Sequence, residues 1–315
     1  LMKAVKDQPQ QAIGMYYPAF YYGSQHPYAM PNDGDEISLP KITRTSLEVF
    51  WKANYAGRNM IVVATGDFDA AAMTAKLKSI SGSFSAGTAY VWKKAPATKA
   101  ASAPRLLLVD KPDATQTYFY IGQPGLEHGN RDATAIELVN TLFGGRFTSM
   151  LNDALRVDSG LTYGASSRVE DERLSGSIYI STFTKTESTE AAIDLALKQI
   201  EKLRGQGINA GQLASAKAYV KGEYPTRRLE TADQLSAVLT DFEIYGQNRG
   251  EVDDFISRID SITVEKANEI ARKYYGRDNL VFVLLGNAAK IRANAGKYSK
   301  QITEVSITKP GFGGY

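Results

Sequence analysis

Apolar positions recur along the chain at two spacings. "SLEVFWKANY" (46–55) has them at helical intervals, and "NMIVVATGD" (59–67) follows as an unbroken apolar run of strand length closed by Gly66. "RLLLVD" (105–110) and "TQTYFYIG" (115–122) have strand character, and "SGSIYISTF" (175–183) alternates as a strand with one buried face does. Asp132 stands where it can cap a helix through "ATAIELVNTLF". "TEAAIDLALKQIEKLRGQG" (189–207) places Ile193, Leu197, Ile200 and Leu203 on one stripe, with Gly205 and Gly207 as stop signals. Strands and helices come in mixed runs, which predicts an α+β fold with a largely antiparallel sheet and helices packed on one side.

Between these patterns lies "KKAPATKAASAP" (93–104), rich in Ala, Pro, Lys and Ser and without apolar periodicity, which reads as an exposed linker. It separates residues 1–92 from a second module at 105–300, followed by a tail at 301–315. The two parts repeat. "ITRTSLEVFWKANYAGRNMIVVATGD" from Ile42 aligns with "ITVEKANEIARKYYGRDNLVFVLLGN" from Ile262 at Ile42/Ile262, Tyr55/Tyr275, Asn59/Asn279 and Gly66/Gly286, and Tyr22-Gly23 in "FYYGSQHPY" faces Tyr245-Gly246 in "EIYGQNRGE". Tandem homologous modules follow, the first without roughly its first 120 residues if the copies are equal in length, so that the expected parent protein has roughly 435.

Composition removes several function classes. Lys and Arg number 37 against 34 Asp and Glu, too even a balance for nucleic-acid binding. The longest apolar runs are strand-length, short of the roughly 18–20 residues of a transmembrane helix. With no Cys there is no thiolate metal site and no cysteine nucleophile, and the two histidines, His26 and His128, lie about a hundred positions apart. Each is expected in a turn, not in a metal centre. The aromatic group Tyr16, Tyr17, Tyr21, Tyr22 and Tyr28 is expected to pack in the core or between modules in preference to lining a peptide chamber.

"LFGGRFTSMLNDALRVDSGLTYGASS" (142–167), with "HPYAMPNDG" and "TSLEVFWKANYAGRNMIVVATGDFD", resembles the pitrilysin-like zinc metallopeptidases, the inverted zincins that include insulin-degrading enzyme and mitochondrial processing peptidase. The resemblance covers nearly the whole chain. Its most specific element is Gly144-Gly145, then Ser149, Leu151, Leu155-Arg156 and Tyr163. It implies tandem modules closing around a peptide or unfolded segment, with Arg156 and Tyr163 of the second module reaching the zinc site of the first, and with Gly144, Gly145 and Ser149 at the substrate. Spacing alone favours an arginine solvating a helix end and a half-buried tyrosine starting a strand; only the resemblance gives the pair a functional reading. The family's His-x-x-Glu-His motif is missing here: its ligand positions fall on Ile136, Val139 and Asn140. The second module is therefore expected to be the inactive copy, with zinc in the N-terminal half of a longer polypeptide or in a partner subunit. Three functions follow: the C-terminal supporting part of a zinc metalloendopeptidase, the non-catalytic subunit of a two-chain peptidase, or a scaffold relative without protease role. A zinc-bearing partner or a homodimer fits the second. Because bacterial relatives are often exported, the resemblance also implies a periplasmic or otherwise exported location.

Overall fold

The computed structural model describes residues 2–92 and 102–315; most of the expected linker, 93–101, lies outside the described residues. The chain divides into two compact units, residues 1–36, 95–220 and 257–315 in the first, and 37–94 and 221–256 in the second. This division differs from the one expected at 93–104, because residues before 37 pack with the later sheet.

The first unit is built on strands β1 (Arg105–Asp110), β2 (Gln116–Pro124), β4 (Ala165–Val169), β6 (Ser177–Lys185), β7 (Val281–Gly286) and β8 (Gln301–Ser306), ordered β4-β6-β2-β7-β1-β8, with β3 (Leu126–Glu127) and β5 (Asp171–Glu172) as a separate short pair. The main sheet is mostly antiparallel: β2 pairs in that sense with β6 and β7, and β4 with β6, while β1 runs parallel to β7 and β8. Because β1 and β7 are central, both of their faces need cover, which accounts for the unbroken "LLLV" and "VFVLL". One face, carrying Leu107, Val109, Val281, Val283 and Leu285, is covered by the helix Pro9–Tyr22 through Ile13, Tyr16 and Tyr17. By alternation Leu106, Leu108, Phe119 and Leu284 point to the other face, and all four are fully buried. The helices Ala133–Asn140, Thr189–Gln206 and Val264–Tyr274 pack with one another and with β4 and β6. Ile193, Leu197, Ile200 and Leu203 are buried as their stripe predicts. Gly122 is required under the first helix, since a Cβ there would run into the Tyr17 side chain.

Three expectations change. Residues 301–315 are not a free tail: β8 extends the sheet, and Phe312, 1% exposed, packs edge-on against Tyr16. Asp132 precedes the helix Ala133–Asn140 but makes no side-chain cap; its carboxylate takes Lys266 Nζ at 2.9 Å, Lys273 Nζ at 2.7 Å and the Tyr274 hydroxyl at 2.9 Å. "NMIVVATGD" forms no strand, and Ile61 and Val62 stay 46% and 58% exposed. β7, the segment that aligns with it in sequence, has a partner on each edge, whereas among the described residues no strand pairs with 60–66. An apolar run is a strand only when a ladder receives it.

The second unit contains the helices Arg44–Asn54, Ala70–Ser81 and Ala232–Tyr245. Its buried apolar residues are few, Ala56, Val238 and Phe255, while Leu47, Val49, Phe50, Trp51 and Tyr55 are all more than half exposed. Local geometry recurs between the two aligned segments. Thr43 caps Arg44–Asn54 through the Ser46 amide at 3.1 Å, and Thr263 caps Val264–Tyr274 through the Lys266 amide, also at 3.1 Å. Tyr55 and Tyr275 end those helices at the same ψ of 68°.

Candidate functional site

The most specific part of the sequence folds into a rigid mount at the β4 edge of the sheet. The helix Ala133–Asn140 widens into a π turn, Thr141–Gly145, and a second π turn, Asp153–Asp158, follows the short helix Met150–Asn152. Such turns re-aim side chains and are frequent at functional sites. Gly144 lies so close to β4 that a Cβ would stand 2.6 Å from Ser167 Cβ and 2.8 Å from Leu151 Cδ1. Ser149, fully buried, caps Met150–Asn152 by accepting from the Asn152 amide at 3.4 Å. Two buried asparagines then occupy polar groups of β4: Asn140 Nδ2 donates to the Ser167 carbonyl at 3.0 Å, and the Ala165 amide donates to Asn152 Oδ1 at 3.3 Å. An edge strand that would otherwise invite pairing is thereby covered.

Arg156 and Tyr163 sit at either end of the segment this mount holds. Between them, the carbonyl of the buried Leu155 collects the Leu161 amide at 2.9 Å, the Thr162 amide at 3.2 Å and Ser159 Oγ at 3.0 Å, while Gly160 supplies φ of 63°. Thr182 Oγ1 donates to Thr162 Oγ1 at 3.0 Å and Thr184 Oγ1 to the Leu161 carbonyl at 2.6 Å, fastening the turn to β6. The turn's interior is satisfied, and the two candidate side chains project from it. Arg156 is exposed, its guanidinium 4.8 Å from the centre of the Phe147 ring. Tyr163 is 79% exposed, its ring 6.3 Å from that of Phe183, which stacks on Tyr118 at 5.2 Å. Among the described residues no hydrogen bond or ion pair engages either polar head. A guanidinium and a phenol so presented are two donors without internal acceptors, suited to carbonyl or carboxylate oxygens.

Gly144, Gly145 and Ser149 shape this mount; none of them offers a side-chain polar group to solvent there. Phe147, 64% exposed beneath Arg156, is the contributor that the spacing left unmarked. An exposed aromatic between the glycine pair and the serine is a signal only once Arg156 is known to fold back over it.

The residues at the expected ligand register do not fit zinc. Ile136 and Val139 are buried core residues, and Asn140, which also accepts from the Tyr275 hydroxyl at 3.1 Å, has its amide committed on both sides. His26, 3% exposed, accepts from the Tyr28 amide through Nδ1 at 3.2 Å and stacks on Tyr22; burial pushes its imidazole below its ordinary pKa. His128 Nδ1 lies 3.1 Å from Asp171. Among the described residues no group of three or more His, Cys, Asp or Glu could hold a metal ion, and no helix is long and apolar enough to cross a membrane.

The segment 142–167 thus places an outward arginine and tyrosine at the covered edge of a mostly antiparallel sheet, and the positions where a metal ligand is expected are core. The profile of the peptidase M16 inactive domain matches residues 41–220, and the chain belongs to that family. It is 25% identical over 272 residues to an uncharacterized zinc protease of Mycobacterium bovis, covering 86% of this chain and 61% of that protein. A probable inactive metalloprotease of Bacillus subtilis is 26% identical over 163 residues, 50% of this chain and 36% of its own. The crystal structure of a peptidase M16 inactive domain from Pseudomonas fluorescens superimposes with a TM-score of 0.81 at 25% identity, covering 90% of this chain and 67% of that one. The chain thus spans about three-fifths of the length of the zinc protease it matches.

Proposed function

We infer that this chain is the substrate-binding, transition-state-supporting part of a zinc endopeptidase acting on peptides or unfolded segments. The observation that carries the reading is the pair of outward donors, Arg156 and Tyr163, on a turn held by hydrogen bonds at the Leu155 and Leu161 carbonyls and the Thr162 hydroxyl. The Tyr163 phenol donates to the scissile carbonyl as its oxygen gains charge, and Arg156 holds a carbonyl of the same peptide in its forked donors. Gly144, Gly145 and Ser149 serve the substrate by fixing this turn. The hydrolytic centre belongs to protein outside these residues, in the same polypeptide or a partner subunit. The bare apolar surface of the second unit supports that reading, as do the paired helix-turn segments at 43–55 and 263–275, read as copies of one module of which the earlier takes its sheet from elsewhere.

In the assembled peptidase, Tyr163→Phe is expected to lower kcat and kcat/KM together by roughly 100-fold, the effect of removing one oxyanion donor worth about 2.7 kcal/mol. Arg156→Ala should mainly raise KM. Unchanged hydrolysis by Tyr163→Phe would remove the phenol from the mechanism. A second reading, a scaffold relative without protease role, is supported by the likeness to the probable inactive metalloprotease. It requires that the complete native protein, purified with its partners, contain no stoichiometric zinc and cleave no peptide.

A further inference from the structure

A cavity of about 510 Å3 opens beside the second π turn, and Arg156 is not among its lining residues. One wall is that turn, with Asp153 and Asp158; the facing wall is the helix Thr189–Gln206, with Gln199 and Lys202; Arg146 completes the rim. Arg146 is fixed there, with Nη1 3.0 Å from Ser215 Oγ and the guanidinium 5.7 Å from the centre of the Tyr219 ring.

Two features point to a ligand. Gln199 is only 6% exposed and lines the cavity, yet among the described residues its amide has no hydrogen-bond partner. Solvent reaches that amide, which is a ready donor and acceptor for whatever enters the cavity. Lys202, on the helix side, forms an ion pair with neither Asp153 nor Asp158, on the turn side, and all three are exposed, so both signs of charge line the cavity unpaired with each other. A ligand of a single charge would meet a like charge on one wall. A molecule carrying both charges at its ends would complement both. The volume suits a small molecule, since ligand pockets run about 300–1,000 Å3.

We propose that this cavity binds a small zwitterion of the amino-acid or dipeptide class, its carboxylate toward Lys202 and Gln199 and its ammonium toward Asp153 and Asp158. Because Asp153 and Asp158 share their π turn with Arg156, an occupant would steady the turn that presents the arginine. The site stands on the cavity alone and does not depend on the hydrolytic reading.

The probe is glycyl-leucine, titrated into the purified chain by calorimetry and by backbone amide NMR, alongside N-acetyl-glycyl-leucine and glycyl-leucinamide. The free dipeptide should saturate, shifting amides of 153–158 and 199–202, and each blocked form should bind roughly tenfold more weakly, the loss of one charge-assisted contact. Lys202→Met should weaken the free dipeptide roughly tenfold and leave glycyl-leucinamide unaffected, because only the carboxylate contact is lost. Asp153→Asn with Asp158→Asn should spare the acetylated form in the same way. Absence of saturable binding, equal affinity for blocked and free peptides, or an unaltered titration by Lys202→Met would each overturn the assignment, leaving the cavity a solvated gap between charged walls.

Discussion

Asn140 offers the sharpest test of how the site is held. It stands at the register where a metal ligand is expected, and in this chain its amide closes a bridge: Nδ2 to the Ser167 carbonyl at 3.0 Å on β4, Oδ1 from the Tyr275 hydroxyl at 3.1 Å. Tyr275 is fully buried, its ring 5.0 Å from that of Phe143. Asn140→Leu keeps the approximate volume and strands two polar groups, each costing about 1–3 kcal/mol, so a loss of about 4 kcal/mol in the stability of the first unit is expected. Tyr275→Phe removes a single bond and should cost about 1–2 kcal/mol. In the double variant no hydroxyl is left stranded by the leucine, so the combined loss should fall short of the sum by about 1–2 kcal/mol. Urea unfolding followed by tyrosine fluorescence is weighted toward the first unit, which holds fourteen of the eighteen tyrosines, while tryptophan fluorescence follows the second, where both Trp51 and Trp92 lie. Losses that add to within about 0.5 kcal/mol would mean the two side chains act independently, and the bridge would be refuted.

Other consequences can be checked with the same protein. Gly144→Ala should destabilise the first unit by about 1–3 kcal/mol or more, since its Cβ would meet Ser167 and Leu151 inside normal contact; an unchanged urea midpoint would deny the close approach. Burial opposes the charge on Asp132, but hydrogen bonds from Lys273, Lys266 and Tyr274 outweigh it and hold the carboxyl well below the usual range. Its folded value is depressed, so its contribution is fully present above the unfolded value of about 3.9 and fades as pH falls below that toward the folded one. Asp132→Asn should therefore lower stability at pH 7 and flatten the pH dependence below about pH 4, and a variant with the native acid profile would contradict this.

What the sequence disclosed follows from how local each cause is. The stripe Ile193–Leu197–Ile200–Leu203 and the apolar runs at 105–110 and 281–286 are burial patterns written over consecutive residues, and they fold as read. β8 went unseen because only Val305 of its six residues is buried, which leaves an edge strand looking polar. "NMIVVATG" was misread for the opposite reason: its composition suits a central strand, but strand formation depends on neighbours that the run itself does not specify. Asp132 lies beside a helix start, yet the lysines that claim it come from a helix more than 130 positions away, so the local cap and the distant ion pairs looked alike in one dimension.

The site was legible in outline only. Seven positions between a guanidinium and a phenol carry no geometry, and the two π turns that aim them leave no mark in a helical hydrophobic period. What the fold adds is the division of labour within 140–167. Asn140, Gly144, Ser149 and Asn152 are buried and engaged in holding a turn against the sheet edge, while among the described residues Arg156 and Tyr163 have no hydrogen-bond or ion-pair partner and Arg156 rests only on the Phe147 ring. Ordering an exposed arginine and tyrosine for no contact would be hard to justify energetically, because long exposed side chains lose rotamer entropy on being fixed. Here the hydrogen bonds that order the segment fall on the backbone and on Thr162, beneath the two exposed heads. On the proposed contact with a substrate oxygen, Tyr163→Phe should alter catalysis in the assembled peptidase, and because the phenol makes no hydrogen bond among the described residues, the urea midpoint should not change; a shifted midpoint would point to a structural role instead.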